Sequence, residues 1–238
     1  VAGYALIRLL FGVFTTQFFS AHPLADEAIL FVASVSVVAG GVLAFRQSSV
    51  KRVFAYSSVA QFGLAAIGIG LGTVPALVGA VIQLLGHAVM KGGLFAAAGI
   101  VSARTGAASI EEYDGLGSHL PWTSGSLAVI GLGMVGVPPT VGFVAKWYLA
   151  VGAVEAGSWS VLIVVLTSTL LSLTYFGRIA QQLYVSDSPV ASGDEEERLS
   201  AGMRATAVGA AVATVALGIG AVGIATVVEP ALNTLLEP

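Results

Sequence analysis

Long apolar runs constrain this chain more than any other feature. Hydrophobic residues make up 56% of its 238 residues and charged residues only 10%, and the mean hydropathy is +0.93. A lipid bilayer must solvate most of such a chain, because its few polar residues could not cover a globular surface. The apolar runs reach membrane-spanning length and are separated by short polar connections. They predict helices at about 1–19, 28–45, 53–71, 77–101, 124–150, 159–184 and 202–227.

The pattern predicts an all-α, polytopic transmembrane bundle of about seven spans, forming a single transmembrane domain over residues 1–238. Strands are not expected, because the runs lack the alternation of a membrane barrel and lipid-exposed backbone must satisfy its own hydrogen bonds. The sequence opens at Val1 inside an apolar pattern and shows no signal peptide, so we expect it to be part of a longer protein. The Ser-, Gly- and acid-rich stretch 185–200 predicts a cytoplasmic linker loop.

The distribution of basic residues predicts the orientation of the chain. Basic residues are enriched in connections on the cytoplasmic side of a membrane. The connections 20–27, 72–76 and 151–158 and the C-terminal tail carry none, so we expect a plasma-membrane protein whose C-terminus is extracytoplasmic. The basic residues in or near the alternate connections are Arg46, Lys51, Arg52, Arg104, Arg178, Arg198 and Arg204.

Several classes of site are excluded by what the chain lacks. The absence of cysteine excludes disulfides, cysteine-based metal sites and thiol catalysis. The histidines, His22, His87 and His119, lack metal-ligand spacing, and the glycines form no nicotinamide- or flavin-binding turn. We therefore predict no bound metal, no cofactor and no covalent chemistry. The small net charge of −3 gives no sign of nucleic-acid binding.

One face of the predicted helix 77–101 carries three polar side chains. Gln83, His87 and Lys91 lie four residues apart, so they share one face of a helix whose other residues are apolar. Histidine takes and releases a proton near neutral pH, and the protonation of a buried lysine responds to neighbouring charge. The stripe predicts a proton path. Alternatively, His87 makes a helix-to-helix hydrogen bond and Lys91 extends to the membrane surface, although Lys91 lies far from both ends of its span.

A second group surrounds a predicted break in the helix at 124–150. Pro138 and Pro139 remove two backbone donors and clash with preceding carbonyls, so we expect a discontinuous helix there. Transporters use such breaks at ion sites. Lys146 follows about two turns later and is predicted to project into the bundle. Alternatively, the prolines only kink the helix and Lys146 is an interfacial lysine beside Trp147 and Tyr148.

The remaining basic residues near the membrane are less informative. Lys51 precedes Ser57, Ser58 and Gln61, which enter the membrane, and either belongs to the path or anchors the helix end. Arg8 lies within the first span and is ambiguous in the same way. No Asp or Glu falls within the predicted spans, so a carboxylate partner for the lysines is expected from outside this chain.

Three stretches together resemble the antiporter-like subunits shared by Mrp-type cation/proton antiporters and the membrane arm of respiratory complex I. The resemblance implies the C-terminal half of a fourteen-helix subunit, from the end of helix eight to helix fourteen. It also implies that the family's membrane glutamate and first lysine lie upstream of Val1. The matching stretches, in the family's order, are VKRVFAYSSVAQFG, LLGHAVMKGGLFAAAGIV and GVPPTVGFVAKWYL.

The resemblance implies roles for four residues. Positions matching His87, Lys91 and Lys146 form a chain of protonatable groups along the membrane midplane, and the position matching Lys51 is a basic group near the cytoplasm. The implied partners are other membrane subunits, the lipid bilayer, protons and Na⁺, with transport rather than enzymatic catalysis as the activity.

The same resemblance leaves a choice between two kinds of complex. HAVMK followed by ARTGAASIEEYDGLG is more similar to the proton-translocating subunit of a multi-subunit Mrp-type cation/proton antiporter, which is the interpretation we favour. The second interpretation is an antiporter-like membrane-arm subunit of NADH:quinone oxidoreductase. A third hypothesis is a structural subunit without transport, which costly membrane-embedded charges argue against.

Overall fold

The computed structural model describes residues 2–10, 13, 22–185 and 201–236, and these residues are almost entirely helical. The only pairing of β type among them is an isolated bridge between Ser49 and Ser109. Two short elements, a 3₁₀ turn at Glu111–Tyr113 and a helix at Leu116–His119, lie in the connection between residues 105 and 121. The other helices are α1 (Ala2–Leu9), α2 (Pro23–Phe45), α3 (Val50–Leu71), α4 (Val74–Thr105), α5 (Pro121–Val135), α6 (Val141–Glu155), α7 (Trp159–Val185), α8 (Ala201–Ile219) and α9 (Ala221–Leu236).

The helical, membrane-embedded class is confirmed, whereas the count of seven spans stays a prediction. Among the described residues, α2, α3, α4, α7 and α8 are long and apolar enough to cross a bilayer, and α5 and α9 are shorter apolar helices. The span predicted at 202–227 is wrong in one respect, because it is divided at Gly220 into α8 and α9. Glycine is a weak helix former, and one glycine in an apolar run gives no clear signal. Beyond Val185, which ends α7, the predicted linker loop lies outside the described residues.

The predicted discontinuity is confirmed at residues 136–140. Helix α5 ends at Val135 and is capped by Gly136, whose φ of 91° is in the left-handed region that favours glycine. The Pro138–Pro139 peptide bond is cis, and α6 begins at Val141. The two half-helices approach closely, since a Cβ added to Gly142 would overlap the carbonyl oxygen of Gly133.

Contacts between connections bring several basic residues to one end of the bundle. The Val50 amide donates to Ala108 O at 3.0 Å, which joins the start of α3 to the segment after α4. On α7, Arg178 donates to Phe45 O at 2.7 Å and lies 3.9 Å from Glu111. The α2–α3 connection, the α4–α5 connection and the C-terminal part of α7 therefore share one end, as the charge pattern requires. Which side of the membrane this end faces remains a prediction.

The prediction that no carboxylate falls within a span is wrong for α2, whose apolar span Leu24–Phe45 includes Asp26 and Glu27 in its first turn. Glu155, the last residue of α6, and Glu229 in α9 belong to helices that are shorter than a membrane span. The helices extend beyond the apolar runs, and a helix N-terminus favours acidic residues. Among the described residues, no ion pair joins these carboxylates to the lysines of α4 or α6.

The close approach at the break predicts that Gly142→Ala destabilises the protein. The added methyl group meets backbone, which cannot move aside as a flexible side chain could, so we expect a cost of about 1–3 kcal/mol or more. Gly125 in α5 is the matched control, because a Cβ there has nothing within 4 Å. Thermal unfolding of both variants in detergent gives the comparison. Equal unfolding temperatures would contradict the packing described here.

Candidate functional site

Helices α3 and α4 pack with polar side chains facing each other inside the bundle. On α4 the predicted stripe of Gln83, His87 and Lys91 is buried, with 2%, 7% and 7% of each residue exposed. On α3, Ser57 and Gln61 are also buried and lie four residues apart. The spacing of four places each set on one helix face, so the two faces meet as a row of polar groups. We call these five residues the polar seam.

Lys91 is held at one end of the polar seam by neutral acceptors. Its Nζ donates to Phe54 O at 2.6 Å and to Ser57 Oγ, and it lies 5.7 Å from the centre of the Phe54 ring. It is 17 residues from the start of α4 and 14 from its end, or about 21–26 Å at 1.5 Å per residue. The side chain points to α3 rather than to a membrane surface. Lys91 therefore does not extend to the membrane surface, as the alternative interpretation expected.

Two glutamines connect the seam to the helix break. Gln83 Nε2 donates to Gln61 Oε1, and Gln61 Nε2 lies 3.4 Å from Met134 O near the C-terminal end of α5. Met134 O also accepts from Lys146 Nζ at 3.4 Å. Gln61 therefore shares an acceptor with Lys146, and polar contacts join Gln83 of the stripe on α4 to the lysine on α6.

Lys146 caps the broken helix. Its Nζ donates to Val135 O at 2.8 Å, besides Met134 O, and to Thr169 Oγ1 on α7 at 3.2 Å. The last four carbonyls of a helix have no partner within it, and a cation at this end is favoured by the helix dipole. Only 6% of the residue is exposed, so the interfacial alternative for Lys146 does not describe its position, although Trp147 beside it is 60% exposed.

His87 occupies the middle of the polar seam with unused hydrogen-bonding capacity. Its ring contacts Phe62 edge to face, with centroids 4.9 Å apart. Among the described residues, neither His87 Nδ1 nor Gln83 Oε1 has a hydrogen-bond partner, although both atoms are buried. Buried polar groups are normally satisfied, and exceptions occur at sites that bind water or act chemically. These two buried polar atoms have capacity to bind water.

The structure does not bring every predicted residue to this site. Lys51 in the first turn of α3 and Arg8 near the end of α1 are exposed, unlike the buried lysines of α4 and α6. Sequence reasoning missed Thr169 as a partner of Lys146 and did not connect Gln61 to the helix break. Nothing in the sequence distinguishes Thr169 from the other hydroxyl residues of α7. Among the described residues no group of three or more His, Asp or Glu could hold a metal ion.

Comparison with known proteins places the chain in a family. The family model described as "NADH:quinone oxidoreductase/Mrp antiporter, TM" matches residues 1–172, well over half of the chain. The chain belongs to this family. The NADH-quinone oxidoreductase subunit N of Desulforudis audaxviator is 37% identical over 206 residues, which cover 86% of this chain and 40% of that protein. The family resemblance expected from the sequence is confirmed.

Solved structures agree on the fold. The Mrp complex from Dietzia sp. contains a chain that matches with a TM-score of 0.88 and 22% identity, over 100% of this chain and 51% of that one. Respiratory complex I from Thermus thermophilus contains a chain that matches with a TM-score of 0.82 and 27% identity, over 99% and 49%. This chain thus spans about half the length of these structures and less of the curated relative. It is an antiporter-like membrane subunit by family and by fold.

The hydrogen bonds of the two buried lysines predict opposite effects on stability. In Lys91→Met, Phe54 O keeps its hydrogen bond from Ser57 at 3.0 Å. The substitution therefore removes a buried charge without leaving an acceptor unsatisfied. Lys146→Met removes the donor to Val135 O, and an unsatisfied buried acceptor costs about 1–3 kcal/mol. We expect an unfolding temperature that is unchanged or higher for Lys91→Met and lower for Lys146→Met, measured in detergent against the exposed control Lys51→Met. Equal losses at both buried lysines would contradict these assignments.

Proposed function

We propose that the chain is the proton-translocating part of a membrane subunit in an NADH:quinone oxidoreductase-type complex. The observation that carries this proposal is the row of buried contacts from Gln83 through Gln61 and Met134 O to Lys146, with Lys91 bound to Ser57 on the same two facing helices. Membrane-embedded charges are costly and mark ion or proton pathways. In this proposal Lys91, His87 and Lys146 are the groups that gain and lose protons.

The neutral surroundings of the lysines support a switching role. In the described part of the chain, no carboxylate forms an ion pair with Lys91 or Lys146. Their charges are stabilised by neutral groups, which are carbonyl and hydroxyl oxygens, the Phe54 ring for Lys91 and the dipole of α5 for Lys146. A change of charge nearby would therefore shift the balance between the charged and neutral forms of either lysine. A potential of 100 mV adds about 2.3 kcal/mol per charge moved across the membrane, which is of the order needed to bias such a step. The driving charge would come from a neighbouring subunit or from chain outside these residues.

The choice of complex rests on the curated relative. The relative named above is a subunit of an NADH-quinone oxidoreductase and is 37% identical, whereas the Mrp match at 22% identity carries the fold alone. We therefore place more weight on the oxidoreductase than the sequence motifs alone favoured. Electron transfer would then occur on partner subunits, since this chain offers no nicotinamide or flavin motif. Other membrane subunits of the complex are the proposed partners, and the plasma membrane is the proposed location.

The second candidate is the proton-translocating subunit of a multi-subunit Mrp-type antiporter that exchanges Na⁺ for protons. The observation that favours it is the HAVMK segment at 87–91 followed by the loop at 103–117. The same relay residues would serve in this case, since both assignments move protons through the bundle. The two candidates differ in the energy source, which is electron transfer for the first and the sodium gradient for the second.

The proposal predicts that Lys146 must release its proton during transport. In the full-length parent complex, Lys146→Ala should abolish proton transport, and Lys146→Arg should also impair it, because arginine remains protonated. Proton movement is followed with a pH-sensitive dye in membrane vesicles, at matched amounts of assembled complex. Lys51→Ala removes the same charge at an exposed position and should retain most activity. Near-normal transport by Lys146→Arg would rule out an obligatory proton-releasing role.

A deletion of the parent gene distinguishes the two complexes. The oxidoreductase assignment predicts that vesicles from the deletion strain lose NADH-driven quinone reduction coupled to proton uptake, while sodium-dependent proton movement persists. The Mrp assignment predicts the reverse pattern. Complementation with the intact gene should restore whichever activity was lost. Loss of sodium-dependent exchange alone would overturn our preference for the oxidoreductase.

A further inference from the structure

Thr169 differs in kind from the other groups that bind Lys146. The remaining acceptors of the ammonium group are the backbone carbonyls of Met134 and Val135. A carbonyl oxygen only accepts hydrogen bonds, whereas a hydroxyl both accepts and donates. Among the described contacts of Lys146, Thr169 is therefore the one group that can take a proton from the lysine and pass another on.

The partners of Lys146 match both of its protonation states. The charged ammonium has three N–H donors, and three oxygens receive them. A neutral amine has two N–H donors and one lone pair, which the two carbonyls and a donating hydroxyl would satisfy. When Lys146 loses one proton, reorientation of the Thr169 hydroxyl completes the second pattern. The site thus accommodates loss of the proton without leaving a buried group unpaired.

The hydrogen bond of Thr169 is unusual for its helix. Thr167, Ser168 and Thr174 each donate to a carbonyl of α7 itself, at 2.8, 2.6 and 2.7 Å. This is the usual arrangement for hydroxyl side chains inside a helix. The hydroxyl of Thr169 instead accepts from a lysine on another helix.

A second pair of hydroxyls lies further along the same helix. Ser172 Oγ and Tyr175 Oη are 3.0 Å apart, and both residues are buried. Residues three apart are neighbours on a helix surface, so Thr169 and Ser172 lie on adjacent turns of one face. Side chains on a helix lean toward its N-terminus, which directs the Tyr175 hydroxyl back to Ser172.

The charged end of the bundle follows within one more turn of α7, and Arg178, nine residues after Thr169, lies about 180° around the helix from it. Arg178 follows Tyr175 by three residues and lies 3.9 Å from Glu111, and their side chains are 36% and 63% exposed. The distance along α7 from Thr169 to Arg178 is about 14 Å at 1.5 Å per residue. Along the axis of α7, Ser172 and Tyr175 therefore lie between Thr169 and the exposed ion pair, and the three hydroxyl residues wind around the helix toward that end.

We propose that Thr169, Ser172 and Tyr175 form a hydroxyl track by which Lys146 exchanges its proton with the end of the bundle at Arg178. The proposal rests on the proposed proton-relay function of Lys146. In each transfer an N–H bond of Lys146 breaks and an O–H bond forms at Thr169, while the original hydroxyl hydrogen of Thr169 moves through a bridging water to Ser172. Ser172 passes its hydrogen to Tyr175, and Tyr175 gives its own to water, which carries the proton to the Glu111 carboxylate at the exposed end. Every hydroxyl ends neutral.

The first test replaces Thr169 in the parent complex. Thr169→Val keeps the shape of the side chain and removes the hydroxyl, and we expect a loss of proton transport of about tenfold or more, as for removal of a proton-transfer group. Thr169→Ser should restore most of the rate, which a packing role would not predict. Thr167→Val is the matched control, because its hydroxyl binds only its own helix. Normal transport by Thr169→Val would overturn the proposal.

The second test separates a track from a single positioning residue. Ser172→Ala and Tyr175→Phe should each lower transport, while Ser168→Ala, which removes a buried hydroxyl bonded to Val165 O, should not. If both variants behave like Ser168→Ala, the track is overturned even when Thr169→Val is slow. These two variants decide the matter if Thr169→Val does not assemble. Lys146→Ala is measured in the same experiment to test the relay function. If Lys146→Ala is inactive while the variants of Thr169, Ser172 and Tyr175 transport protons normally, the track alone is rejected.

Discussion

The hydrogen bond between Lys146 and the broken end of α5 is the interaction on which the rest of the site depends. A helix that ends inside an apolar bundle leaves carbonyls without donors, and lipid offers none. A buried ammonium group lacks acceptors in the same surroundings. Each group satisfies the other, and the positive charge lies at the end of the helix where its dipole favours a cation. The geometry requires Gly136 with its positive φ and the close approach at Gly142.

The polar seam depends on this break for its connection to Lys146. Met134 O is available to side chains because α5 ends one residue later, and Gln61 reaches it from α3. In an uninterrupted helix this carbonyl would accept from the amide four residues further on, and both side chains would compete with that bond. The discontinuity thus creates the acceptor that two helices share. It links α3 and α4 to α6 through polar atoms rather than through apolar packing alone.

The sequence predicted the parts of this arrangement that have a period or a strong local signal. The spacing of four placed Gln83, His87 and Lys91 on one buried face, and two adjacent prolines located the break. Thr169 had no such signal, because α7 is rich in hydroxyls and only tertiary packing selects the one that meets Lys146. The division at Gly220 and the extension of helices over acidic residues were missed for a related reason. Helix ends depend on capping and packing that hydropathy does not report.

The two buried lysines share a chemical arrangement that argues against permanent charges. Each donates to backbone carbonyl and to one hydroxyl, Ser57 for Lys91 and Thr169 for Lys146. Among the described residues neither lysine is matched with a carboxylate, so each charge keeps a desolvation cost that neutral acceptors offset only in part. A guanidinium would bring five donors to sites that offer two or three oxygens. A lysine beside a hydroxyl can instead exist charged or neutral with its partners satisfied. We therefore interpret the pairing of lysine and hydroxyl, more than the lysines alone, as the feature that suits this bundle to moving protons.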